Sequence, residues 1–145
     1  MDGFHSRDFH SRCDGHSNTL TIIKAKDSSY IFGGFTTVSW DCSFNFKSDA
    51  SAFIFSLTNN HNLPLKIKIN PNYHEHAIEC NSEYGPSFGW DIEIANNANT
   101  TMDSHSNLSH TYSHPQYAYG TDEANSFLAG SHKFQLDEIE VYQKE

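Results

Sequence analysis

Short runs of β-branched and aromatic residues, each closed by turn chemistry, constrain this chain more than any other feature. Leu65-Lys66-Ile67-Lys68-Ile69 alternates strictly between apolar and charged, the period of a strand with one wet face. Residues 19–24 are rich in Thr and Ile and end at the turn Asp27-Ser28-Ser29, with residues 30–40 as their hairpin partner. Gly33 and Gly34 interrupt that partner, where glycine marks a bulge or a close backbone approach. Further strands are expected at 52–57, at 77–80, at 88–94 after the turn 84–87, and at 133–142. In the last of these, Phe134 and Leu136 and then Ile139 and Val141 keep period two, with a slip at Asp137-Glu138 that predicts a bulge. Ser6 is read as the cap of a short helix over 7–13 that buries Phe9 and Cys13 and ends at Asp14-Gly15. Six or seven strands with so little helix define a mostly β fold, a two-sheet antiparallel β-sandwich with one or two short flanking helices. Its core is expected to hold Leu20, Ile22, Phe32, Phe53, Phe55, Phe88, Ile92, Phe134 and Val141. Residues 41–51 read as an exposed loop. Residues 95–118, rich in Asn, Ser, Thr and His, read as a long loop that is either functional or mobile.

The chain has 145 residues, the size of one domain with one core, and its 11 Phe and 7 Tyr argue for folding over disorder. A net charge of −9 leaves no Lys/Arg excess for a phosphate backbone or an anionic leaflet. No apolar stretch approaches the roughly 20 residues that cross a bilayer, and the polar N-terminus is no signal peptide. Asn99-Thr100-Thr101 and Asn107-Leu108-Ser109 match the glycosylation pattern by chance on this reading. Cys13, Cys42 and Cys80 are odd in number and widely spaced, which is no disulfide framework and suits a reducing cytoplasm.

Chemistry-bearing motifs are sparse. Gly-x-Ser-x-Gly, His-Glu-x-x-His and the phosphate-binding Gly-Lys-Ser/Thr do not occur. Among 10 His, the groupings are His74-Glu75-His76 and His105, His110 and His114. On a strand His74 and His76 would share a face and, with a third ligand, hold zinc or copper. The default reading is solvated polar residues, so no catalytic, cofactor or metal residue is assigned. Glu138 and Glu140 share the wet face of an alternating strand, a docking surface for a basic partner. The alternative is a small Cys/His-based redox or metal-dependent enzyme.

Five blocks in order carry a resemblance. They are Phe9-His10-Ser11-Arg12-Cys13-Asp14-Gly15 leading into Thr19-Leu20-Thr21-Ile22-Ile23-Lys24; Ile31-Phe32-Gly33-Gly34-Phe35 with Trp40; Ala52-Phe53-Ile54-Phe55-Ser56-Leu57; Tyr84-Gly85-Pro86-Ser87-Phe88-Gly89 with Asp91-Ile92; and Leu128-Ala129-Gly130 through Phe134 to Glu138-Ile139-Glu140-Val141-Tyr142. Together the chain resembles the TLDc domain family, which includes the oxidation-resistance proteins, as one domain over 1–145. The resemblance implies a β-sandwich with a few helices, a part in protection from oxidative damage and, in several members, binding to the vacuolar proton-pumping ATPase. It supplies no catalytic mechanism. Family members usually begin earlier, with helical sequence and a strand before Asp2-Gly3-Phe4, so an N-terminally short domain is expected. An edge or apolar face left uncovered there would invite self-association. The candidate interaction surface is Tyr84, Gly85, Pro86 and Trp90 on the glycine-rich turn, with Glu138 and Glu140 on the last strand.

Overall fold

Alternation in the sequence becomes sheet in the computed structural model, which describes residues 3–144. The first helix, α1 (Ser6–Cys13), is capped by His5 and not by Ser6. The Arg7 amide donates to His5 Nδ1 at 3.2 Å, and the His5 amide donates to the Asp8 carboxylate at 3.2 Å. This is a reciprocal capping box, and it moves Ser6 into the buried first turn.

Eleven strands follow among the described residues: β1 (Thr19–Ala25), β2 (Ile31–Thr36), β3 (Asn45–Lys47), β4 (Phe53–Ser56), β5 (Leu65–Lys68), β6 (Ile78–Cys80), β7 (Ser87–Phe88), β8 (Ile92–Glu93), β9 (Ser104–Ser106), β10 (Lys133–Phe134) and β11 (Leu136–Gln143). A second short helix, α2 (Asp122–Ser126), precedes β10. A five-stranded sheet runs β11-β1-β2-β4-β5, a four-stranded one β10-β9-β8-β7, and β3 pairs with β6. All these pairings are antiparallel. Strand is 34% of the described residues against 13% helical, so the protein is mostly β and sandwich-like, with a third, smaller sheet added to the expected two.

The bulge stands where the sequence slips. Lys24 faces Glu138 while Ala25 faces Leu136, so Asp137 is the extra residue. The strand read as continuous over 133–142 divides just before this, at Gln135: β10 belongs to the four-stranded sheet and β11 to the five-stranded one.

Several expectations are corrected. In β1 the inward row is Thr19, Thr21, Ile23 and Ala25, while Leu20 and Ile22 are half-buried on the other face. An inward Thr19 is tolerated because its hydroxyl accepts the indole N–H of buried Trp40 at 2.9 Å. Phe53 and Val141 are likewise half-buried, while Phe32, Phe55, Phe88, Ile92 and Phe134 are core. Residues 41–51 contain β3, and β2 ends at Thr36 well before Trp40. Residues 88–94 are not one strand but a hairpin, because the chain reverses at Gly89-Trp90-Asp91. His74 and His76 lie in a 3-10 turn (Pro71–His76) opened by proline and not on a strand. Residues 95–118 are no free loop. They supply β9 to the interior of a sheet, and Leu108, Thr111 and Tyr112 are fully buried.

Gly34 shows why this core needs glycine. A Cβ there would lie 2.6 Å from the Phe88 ring of the facing sheet, so the missing side chain lets the two sheets close.

Candidate functional site

The site starts from the reversal between β7 and β8. Gly89 takes φ +57, and a Cβ on it would lie 2.5 Å from the Thr111 side chain. Glycine is therefore required twice over, for the backbone conformation and for the space. The Gly89 amide donates to the Ala77 carbonyl at 2.9 Å. Asp91, two residues on, is fully buried and accepts the Thr111 amide at 2.7 Å and the Tyr112 amide at 2.9 Å. Burial pushes its carboxyl up to about 7, and the Tyr112 and Thr111 amides work against that rise. The Tyr112 hydroxyl donates to the Ala77 carbonyl at 2.6 Å, and the Asn70 amide donates to the Thr111 carbonyl at 2.9 Å. Three segments are thereby pinned together: the hairpin tip, residues 107–112, and the turn that carries Tyr73.

What they display is an aromatic patch centred on His110. The Trp90 ring stacks on His110 with centroids 4.9 Å apart and planes 12° apart. Tyr119 meets the same imidazole edge-on at 5.1 Å, and Tyr73 approaches it at 6.0 Å. Tyr73, Trp90 and Tyr119 are 43%, 51% and 55% exposed, so large aromatic area faces solvent at one place. Burial under these rings, and then the nearby His76, lower the His110 pKa below its ordinary value, which keeps the ring neutral at pH 7. An uncharged, rigidly supported aromatic surface is the composition of an interface hot spot.

The remaining candidate residues lie elsewhere. Tyr84, at the base of the hairpin, lines a groove of about 600 Å3 with His5, Glu83, Asn96, Asp103 and His105. Glu93 foremost, then burial, then Glu79 and other carboxylates raise the Tyr84 hydroxyl's pKa. Gly85 and Pro86 are buried, so their side of the turn faces the core. Glu138 and Glu140 are exposed on β11, opposite Lys24 and Ile22 of β1. Trp90 is thus the one sequence candidate in the patch. His110 lies in the 95–118 stretch read as functional or mobile and in one of the histidine groupings, whereas nothing in the sequence reading singles out Tyr119 or Tyr73, although His and Tyr interleave through His110, Tyr112, His114, Tyr117 and Tyr119.

Nucleophilic chemistry finds poor ground in the thiols. Burial raises the Cys13 and Cys80 thiols to about 11. Cys42 is exposed, yet slight burial and its hydrogen bond to Asp14 raise it too. No helix among the described residues is long and apolar enough to cross a membrane.

The model of the TLDc domain matches residues 1–145. The chain belongs to the TLDc family. No curated protein matches it. The match spans the whole chain, so the glycine-turned hairpin, the Asp91 anchor and the His110 patch all lie inside the TLDc domain. This TLDc chain is a TLDc-type module whose exposed aromatic surface is carried by loops on a β scaffold.

Proposed function

We propose that this TLDc chain is a non-catalytic protein-interaction module that docks through the aromatic patch around His110. One observation carries the reading: Trp90, Tyr119 and Tyr73, each roughly half exposed, converge on one imidazole whose chain neighbours Thr111 and Tyr112 are held by buried hydrogen bonds to Asp91. Exposed Trp and Tyr on a rigid support give up little conformational freedom on binding, which is why they concentrate binding energy. The partner proposed is a cytoplasmic subunit of the vacuolar proton-pumping ATPase, through which the chain would serve protection from oxidative damage. Family membership supports that choice, and the −9 charge favours a partner with a basic rim that can also engage Glu138 and Glu140.

Capture of the assembled pump and of its separated cytosolic sector on the immobilised chain tests both parts. Capture is expected for the natural chain and lost in Trp90→Ala/Tyr119→Ala. No capture at about 50 μM protein, binding weaker than about −6 kcal/mol, rejects the pump as partner. Capture that survives the double substitution rejects the patch. Native iodoacetamide labelling addresses catalysis: Cys13, Cys42 and Cys80 are all expected to label slowly at pH 7, and one fast cysteine revives the redox-enzyme alternative.

A further inference from the structure

His10 is buried in α1, and its ring is held at both ends. Nε2 lies 2.8 Å from the Asn81 carbonyl and 2.9 Å from the Tyr84 carbonyl. Both are acceptors only, so Nε2 carries hydrogen and donates. Nδ1 then faces a carboxylate oxygen of Asp14 at 2.7 Å. At that distance the two atoms are joined through a hydrogen, whose place a metal ion can take. The other Asp14 oxygen accepts from Cys42 Sγ at 3.2 Å. The fold brings Cys42 there deliberately: Asp14 bridges to Trp40, and the Gly15 amide donates to the Trp40 carbonyl at 2.8 Å, which sets residues 40–42 beside the end of α1. One nitrogen, one carboxylate oxygen and one sulfur thus lie within 4.8 Å of one another.

We propose that His10, Asp14 and Cys42 form a zinc site, with Zn2+ bound by Nδ1, a carboxylate oxygen and Sγ and with water in the fourth position. Three features select this ion. A mixed N, O and S set suits borderline zinc and excludes the oxygen-seeking Mg2+ and Ca2+. A carboxylate and a thiolate together neutralise the double positive charge. Metal-bound histidines typically ligate through one nitrogen and donate the other N–H to a fixed acceptor that orients the ring, and here the Asn81 and Tyr84 carbonyls already supply that acceptor. Binding releases two protons, the Cys42 thiol hydrogen and the one shared by His10 and Asp14. The open side is Cys42, which is exposed.

Cobalt reports on this site directly, because thiolate bound to Co2+ gives a charge-transfer absorption that oxygen and nitrogen ligands do not. Titrating the metal-stripped chain with Co2+ is expected to saturate that band at one equivalent, and Zn2+ is expected to abolish it by displacement. Cys42→Ser, at an exposed position that leaves the core alone, removes the band and weakens Zn2+ roughly tenfold or more in calorimetry. Asp14→Asn keeps the band and weakens Zn2+. His74→Ala/His76→Ala changes neither. A chain that shows no sulfur-to-cobalt band, or one whose band survives Cys42→Ser, overturns the site.

Discussion

Asp91 decides more at the residue scale than its place in a polar turn indicates, since one buried carboxylate anchors the segment that carries His110. Its raised pKa sets the sign of its pH dependence. A carboxyl at about 7 in the folded chain and near its ordinary 3.8 when unfolded contributes stability that is complete below about 4 and lost as pH rises through 7. His105 acts in the next window: its hydrogen bond to Glu93 at 2.8 Å raises its pKa, so its contribution is present below 6.5 and lost above its folded value. His110 and His114 are lowered by burial, so theirs is present above 6.5 and lost as pH falls through their folded values. Urea midpoints are therefore expected to fall between pH 6.5 and pH 8. In Asp91→Asn much of that slope disappears, while stability drops by about 1–3 kcal/mol because an amide N–H2 now faces a backbone donor. A natural chain more stable at pH 8 than at 6.5 contradicts this account.

At the scale of elements, the apolar strands were legible, whereas their orientation and the polar strands β3 and β9 were not. β5 and the Asp137 bulge follow from alternation, and β1, β2 and β4 from β-branched and aromatic runs closed by turn residues. The face of β1 does not, because Thr19-Leu20-Thr21-Ile22-Ile23 offers an apolar row on either side and only the Trp40 bond to Thr19 settles it. The second face of the sheet is apolar as well: Phe35 stacks on Phe53 at 5.3 Å, and the Lys66 ammonium sits 4.2 Å from the Phe53 centroid. A cation over a ring lets a half-buried Phe tolerate water, which the sequence cannot convey. The polar stretch 95–118 was illegible for a related reason. Its buried Thr111 and Tyr112 amides are satisfied by Asp91, 20 and 21 residues earlier, so composition mimicked a loop. In the candidate site, Trp90 was legible as an aromatic on a glycine turn, whereas His110 depends on that long-range anchor. Truncating Ile54, fully buried in β4, is expected to cost about 2–5 kcal/mol. Leu20→Ser, on the half-buried row of β1, is expected to cost about 1 kcal/mol or less. Equal losses in chemical denaturation would mean that the inward row of β1 is misassigned.

Across the whole molecule the two large sheets are joined through rings and through the junction of β10 and β11 at Gln135. Phe9 meets Trp40 at 5.1 Å and Trp40 meets Phe88 at 5.6 Å, both edge-on, while Phe32 of β2 meets Phe134 of β10 at 5.6 Å. The crossing at Gln135 is stitched on both sides: the Lys26 amide donates to the Gln135 carbonyl at 2.9 Å and the Leu136 amide to the Ala98 carbonyl at 2.9 Å. Neither sheet can lose its inner face without exposing the other's, so unfolding is expected to be all-or-none, as for most domains below about 150 residues. The chain provides its own probes. Trp40 is fully buried between the sheets and Trp90 lies in the surface patch, so Trp90→Phe leaves a single indole in the core. In that variant, Trp40 fluorescence and far-ultraviolet circular dichroism should give one superimposable urea transition. In the natural chain, Trp90 emission should change in the same transition, because Asp91 ties the patch to the core. If Trp90 moves at lower urea than the circular dichroism signal, the His110 patch opens independently of the sandwich, and its preorganisation as a docking surface fails with it.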